Sequence, residues 1–194
     1  MNITVLQFHS KAKKLPKSYP NVSPKDTLPE DATYRLSNFS PDSVEYEGHV
    51  YPTAEHAYQA QKYKYSSALN PNKNSINPEE LMTQFYDGTI TDPIEAKRKG
   101  SKAGMKKTKY VLNIQKWARD QDAIMDAIIK SKIERSPHIR NIIRISAKQG
   151  IRYVHFSRTD MYWGAHFDKD AFEVTDGLNK LGEIYNRHIY QTAI

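Results

Sequence analysis

The placement of its ten prolines constrains this 194-residue chain more than any other feature. Proline fixes φ and lacks a backbone N–H, so it stops strands and helix interiors but suits a first helical turn. Pro16, Pro20, Pro24 and Pro29 share residues 9–31 with Lys11, Lys13, Lys14, Lys17 and Lys25. Such a stretch predicts one long loop of the functional or mobile kind. Pro52 stops a short hairpin over Val44–Tyr51, with Glu47-Gly48 at its turn. Thr53 then caps a helix from Ala54 to about Ser66. Residues 71–78 form a loop, and Pro78 opens a short helix with Glu79 and Glu80 in its first turn. Asp92-Pro93 opens another, running towards Lys107 and weakened by Gly100 and Gly104. Ser136-Pro137 caps a helix that Gly150 closes.

Apolar spacing supplies the remaining elements. Ile114, Trp117, Ala118, Met125, Ile128 and Ile129 fall mostly on one stripe, which predicts a helix from Tyr110 to about Ile133. Asp176 is expected to cap a final helix carrying Leu178, Leu181, Ile184, Tyr185 and Ile189. Ile3–Phe8 and Ile151–Phe156 are β-branched and apolar, as short strands are. Six helices against three or four strands predict a mainly α fold, α+β with a few short strands, in a single domain over residues 1–194.

Composition narrows the function. Lys plus Arg number 29 against 22 Asp plus Glu, a net charge of +7. That sign suits a phosphate-bearing partner, nucleic acid or nucleotide. Aromatics at 11% argue against disorder even at a mean hydropathy of −0.76. There is no cysteine, which excludes disulfides, a thiol nucleophile, cysteine zinc sites, iron–sulfur clusters and zinc-dependent base deamination. His9, His49, His56, His138, His155, His166 and His188 show no ligand spacing, so no metal and no cofactor are expected. No apolar run approaches the ~18 residues of a membrane span. No signal peptide is seen, and a cytoplasmic protein without a membrane partner is the expectation.

Four constellations have chemical potential. Glu55, Tyr58 and Lys62 share one helix face, with Glu55 in the first turn. They form either an acid–base set in a cleft or a solvated face. Arg35–Phe39 (RLSNF) is either a structural turn or a turn from which Asn38 meets a base edge or ribose hydroxyl. Asp160–Gly164 (DMYWG) follows a strand, and Trp163 either stacks a nucleobase or plugs the core. The basic run 97–109 is a solvated surface or a phosphate contact, and it lacks the spacing of a P-loop.

Several segments in order resemble one family. LSNF (36–39), VEYEGHVYPTAEHAYQAQK (44–62), EAKRKGSKAG (95–104), Trp117, DMYWG (160–164) and GLNKLGEIY (177–185) are similar to the NADAR, or YbiA-like, family. QFHSKAKK (7–14) resembles the FYSKS-type start of some members. The resemblance implies a mainly α YbiA-like fold and hydrolysis of N-glycosidic bonds. The implied substrates are ADP-ribosyl or ribosyl-phosphate compounds, including ADP-ribosylated guanine in nucleic acid or nucleotides, and phosphorylated riboflavin-pathway intermediates.

The family's key acid falls on Glu55 and its aromatics on Trp117 and Trp163, and Asn179 matches the Asn of GxNxLG. By motif position Ser37 and Asn38 contact ligand. The implied substrate-binding set is Ser37, Asn38, Phe39, Tyr58, Trp117, Trp163, Gly164 and Asn179. The catalytic set is Glu55, Lys62, Lys11 and Asp160. Lys62 could hold Glu55 ionised, grip a phosphate or attack the ribose as an amine, and Lys11 is its rival. One departure stands out. The family often carries an acid two residues after the tryptophan, and here Ala165 occupies that place, with Asp160, Asp168 and Asp170 nearby.

The chemistry is coherent without the name. Breaking an N-glycosidic bond builds positive charge on the sugar, which a carboxylate stabilises while an aromatic face holds the base and cations hold phosphates. Two other readings compete. One is a non-catalytic ADP-ribose or nucleotide-binding module, and the other a basic nucleic-acid-binding helical domain.

Overall fold

The computed structural model describes residues 4–12, 14–15, 27–70, 76–168 and 173–192. Most of the expected 9–31 loop, with Lys13, Lys17 and Lys25, lies outside them, as do Ile3, residues 71–75 and Asp170. In chain order the elements are β1 (Thr4–Phe8), α1 (Ala32–Arg35), β2 (Val44–Tyr46), β3 (His49–Tyr51), α2 (Ala54–Gln61), a 3-10 turn (Lys62–Tyr65) and β4 (Ser66–Ala68). There follow α3 (Pro78–Thr83), α4 (Pro93–Lys99), α5 (Lys102–Lys107), β5 (Tyr110–Leu112) and α6 (Ile114–Arg135). The chain closes with α7 (Pro137–Gln149), β6 (Ile151–His155), β7 (Ala165–Asp168), β8 (Glu173–Gly177) and α8 (Lys180–Thr192). Helix dominates, and the strands are short and pair only two at a time. The chain divides into two compact units, residues 1–40 with 136–194, and residues 41–135.

In the first unit, β1 runs parallel to β6 in register Thr4↔Ile151 through Phe8↔His155. Leu6 and Phe8 point to the buried side, and Phe8 meets Tyr153 and Tyr185 edge-on with centroids at 6.1 and 5.6 Å. Helix α7 starts where Ser136 Oγ accepts the N–H of Ile139 and stops at Gly150, whose φ of 63° favours glycine. Its buried stripe is Ile139, Ile142, Ile143 and Ile145.

Two asparagines brace β6. Asn179 Oδ1 accepts the His155 N–H (2.9 Å) and Asn186 Oδ1 the Tyr153 N–H (2.8 Å). Both Nδ2 groups donate to Tyr153 O, at 3.3 and 3.1 Å. Side-chain amides thus satisfy strand groups that would otherwise be buried without partners. Gly182 leaves room for this, since a Cβ there would lie 2.3 Å from Asn179 Oδ1. Asp176 does not cap the last helix: it pairs with His166 in the β7–β8 ladder. The helix begins at Lys180, after Asn179 turns the chain at φ 49°.

The second unit opens with the β2–β3 hairpin, register Val44↔Tyr51, through Glu47 and Gly48 at φ 49° and 79°. Two positive φ values suit the twist of a two-residue hairpin turn. Thr53 caps α2 by accepting from His56 N. The helix expected to continue to Ser66 ends at Gln61 and tightens into the 3-10 turn, so Lys62 stands one residue past the α-helix. The helix expected from Asp92 to Lys107 breaks at Gly100-Ser101, and Ser101 Oγ caps the second piece by accepting from Gly104 N. Residues 110–112, expected to begin the long helix, instead form β5 opposite β4 (Ser66↔Leu112). The α6 stripe buries Trp117, Ile124, Met125, Ile128 and Ile129.

Candidate functional site

Helix α2 is the anomaly of the second unit. All eight of its residues, AEHAYQAQ, are buried. A buried helix is normally apolar on every side, because burying a polar group costs free energy unless it is hydrogen-bonded. Here Glu55, His56, Gln59 and Gln61 are interleaved with Ala54, Ala57 and Ala60, all three alanines fully buried. Small residues every third position let neighbours approach the helix while polar groups project between them.

Each polar group has a defined role. His56 Nε2 donates to Ile90 O (3.2 Å), so its Nδ1 is the acceptor for the Thr53 hydroxyl at 2.9 Å. Burial lowers the His56 pKa against the opposing pull of the Ile90 carbonyl, Asp92 and Glu95, and the ring is held neutral. Gln61 Nε2 donates to Tyr51 Oη (3.3 Å), and burial beside Tyr86 pushes the Tyr51 phenol up to about 12.

Glu55 is 5% exposed, so the solvated-face reading does not hold. Its Oε1 accepts from Gln59 Nε2 at 2.8 Å. The helix N-terminus adds its partial positive charge to that of the amide. Lys62 Nζ donates to Gly100 O (3.4 Å) and lies 5.3 Å from the Tyr58 ring centroid and 5.8 Å from that of Trp117. The two rings pack against each other at 5.0 Å, Tyr65 closes on Trp117 at 5.4 Å, and Tyr58 Oη donates to Gln121 Oε1 at 3.3 Å. Tyr58, Lys62 and Trp117 therefore come together, and Glu55 is tied to Gln59 beside them on α2. Trp117 is only 6% exposed, so its aromatic faces serve Lys62 and the tyrosines.

The remaining candidates lie in the first unit. Asp160 Oδ1 accepts from Trp163 N (3.1 Å) and Asp160 O from Gly164 N (2.9 Å), closing a tight turn. Trp163 is 7% exposed; its carbonyl receives Leu181 N, and its ring meets Tyr162 edge-on at 5.1 Å. Gly164 is crowded, since a Cβ there would come within 2.5 Å of Ser157 Cβ. Asn179 is the strand brace described above. Ala165 is fully buried opposite Gly177, while Asp168 stands exposed at the end of β7. Ser37 Oγ accepts from Phe39 N (3.2 Å) and Ser37 O from Ser40 Oγ (3.0 Å), the pattern of a structural turn, with Asn38 and Phe39 half-buried on it. Lys11 is exposed, and its backbone N–H donates to His9 Nδ1 at 3.2 Å. Burial, followed by the Lys11 charge, lowers the His9 pKa.

Sequence reasoning missed Gln59 and Gly100. The signal for Gln59 was available in the alanine spacing of AEHAYQAQ. Among the described residues no group of three His, Asp or Glu is placed to hold a metal, and no helix is long and apolar enough to cross a membrane.

A short buried polar helix carrying an acid, set among short two-stranded sheets, defines the class. The NADAR domain family matches residues 26–188, and the chain belongs to that family. The NMR structure of the E. coli protein YbiA is similar in fold, with a TM-score of 0.63 at 22% identity over 100% of this chain and 87% of that one. No curated protein sequence matches the chain.

Proposed function

We propose that the chain is an N-glycosidase that hydrolyses the bond between a ribosyl-phosphate or ADP-ribosyl group and a base. The observation that carries this reading is Glu55, a carboxylate buried in the first turn of a buried helix and oriented by Gln59. Family membership supports it, since N-glycosidic hydrolysis is the chemistry the resemblance implies. In the step proposed, the C1′–N bond breaks and its electron pair leaves with the base, which takes up a proton. Water adds to C1′ and loses a proton to Glu55, whose negative charge also stabilises the oxocarbenium-like transition state. Lys62 Nζ donates to the Gly100 carbonyl beside the Tyr58 and Trp117 rings, and its role in this reading is to grip a substrate phosphate rather than to attack as an amine.

The test is turnover of ADP-ribosylated guanosine against a phosphorylated riboflavin-pathway intermediate, with base release read by mass. Free base from one of them, lost in Glu55→Gln, supports the reading. Saturable ADP-ribose binding without base release replaces it with a binding module. Salt-sensitive binding of any nucleic acid, again without release, replaces it with a nucleic-acid-binding domain.

A further inference from the structure

We infer that Gly100 and Gln59 are positioning residues for this site: the side chain Gly100 lacks is the seat of the Gln59 amide that orients Glu55, and the Gly100 carbonyl holds Lys62. The inference rests on Glu55 being the catalytic acid proposed above.

Gly100 closes α4 at φ −79° and ψ 0°, which any L-residue can adopt, so backbone freedom does not explain the glycine. Space does. A Cβ on Gly100 would stand 2.2 Å from Gln59 Oε1, 2.7 Å from its Cβ and 3.0 Å from its Cδ. The Gln59 side chain fills the room where residue 100 would carry its own. A glycine Cα–H takes the direction of that Cβ and points at the amide oxygen, a weak contact in place of a hydrogen bond. Oε1 is buried and has no hydrogen-bond partner among the described residues. The arrangement also fixes the amide's orientation. A carboxylate only accepts, so Nε2 must face Glu55 and Oε1 must face Gly100. Gln59 is thereby limited to donating a charge-assisted hydrogen bond to Glu55. The same Gly100 presents its carbonyl to Lys62 Nζ at 3.4 Å. One glycine on α4 therefore sets both charged groups of the α2 site.

The test uses Gly100→Ala, Gln59→Met, Gln59→Gly and the double variant Gly100→Ala/Gln59→Gly in the full chain. Turnover of ADP-ribosylated guanosine and the riboflavin intermediate is measured alongside a carbon-13 NMR titration of the Glu55 side chain. Gln59→Met keeps the length of the side chain and removes the donor. Each single variant is expected to lower kcat about tenfold with KM nearly unchanged. Each is expected to raise the Glu55 titration midpoint by about one unit. Gln59→Gly removes the Cβ, Cδ and Oε1 that a side chain at residue 100 would meet, so in the double variant Gly100→Ala should add no loss to that of Gln59→Gly. An unchanged Glu55 titration in folded Gln59→Met overturns the positioning role, and additive losses in the double variant remove Gly100 from it. If Gly100→Ala does not fold, Gln59→Met alone decides for Gln59, and the melting profile of the double variant decides for Gly100. Refolding on removal of the whole Gln59 side chain supports the proposed seat, and failure to refold overturns it. The titration needs no substrate, so a wild type that releases no base from either compound defeats the N-glycosidase reading and leaves the positioning result standing.

Discussion

At the residue scale, the three side chains with the clearest expectations differ in what surrounds them. Glu55 is buried and accepts a hydrogen bond from the neutral Gln59 amide. Glu55→Gln preserves shape and removes the charge, so the fold should persist while kcat/KM falls by ~10²–10⁴-fold, the usual cost of losing a general acid or base. Steady-state kinetics beside a melting curve check it, and near-wild-type turnover removes Glu55 from the chemistry. Trp163 presents the opposite case. Spacing leaves it as either a base-stacking ring or a core plug, and the ring is 7% exposed above a turn closed by Asp160 and Leu181. Trp163→Ala should therefore cost ~3–5 kcal/mol of stability, the range for large aromatic truncations in a core. A denaturant titration showing wild-type stability would restore the ring to the ligand. Lys62→Met retains a long stem against Tyr58 and Trp117 and removes the ammonium. It should raise KM more than it lowers kcat, and the reverse pattern would make Lys62 a participant in bond cleavage.

At the element scale, α2 carries a titration that bears on stability. The neutral His56 ring donates to Ile90 O and accepts from Thr53, and burial holds its pKa below 6.5. The unfolded chain therefore binds the His56 proton at higher pH than the folded one. Between the two pKa values unfolding takes up a proton, so stability is full above about pH 6.5 and declines as pH falls below it. Melting temperature should drop from pH 7.5 to 5.5, and His56→Gln should flatten that slope. Asp31 acts in a different window. Burial opposes its ionisation, but hydrogen bonds from Arg35 and His138 outweigh burial and lower its pKa, so its contribution is lost only below about pH 3.8. An unchanged slope in His56→Gln would assign the loss near pH 6 to another group, with His9 next in line.

The elements also show what a sequence can reveal. Helix α7 was legible because its signals are local: Ser136-Pro137 at one end, Gly150 at the other and an isoleucine stripe between. The hairpin was legible at Glu47-Gly48 for the same reason. Residues 110–112 were not. They continue an apolar stripe, and only pairing with the distant Ser66–Ala68 makes them a strand. Asp176 looks like a helix cap, and its cross-strand partner His166 overrides that local preference. The candidate site divides in the same way. Glu55 was visible as a helix-start acid in a specific motif. Gln59 could be found in the alanine spacing of its helix, whereas Gly100 owes its importance to a contact with Gln59 that no spacing rule encodes.

At the scale of the whole molecule, the net charge of +7 bears on which substrate the proposed N-glycosidase would take. Lys102, Lys106, Lys107 and Lys109 are exposed, and none makes an ion pair among the described residues. A mononucleotide is small enough to be held by the site alone, whereas the proposal extends to a strand only if its phosphates also reach such lysines. Each phosphate neutralised releases condensed counterion, so log affinity for single strands falls with log salt at a slope of about −0.7 per contact. Two substrates with the same ADP-ribosylated guanine, one a free nucleoside and one within an oligonucleotide, separate the contributions. Between 50 and 200 mM salt, about two phosphate contacts outside the site would weaken the oligonucleotide roughly sevenfold relative to the nucleoside. That differential loss in kcat/KM is the expected result if polymeric substrate is engaged beyond its modified base. Identical salt slopes would mean that these lysines serve solubility alone and that the mononucleotide and the strand are equivalent substrates.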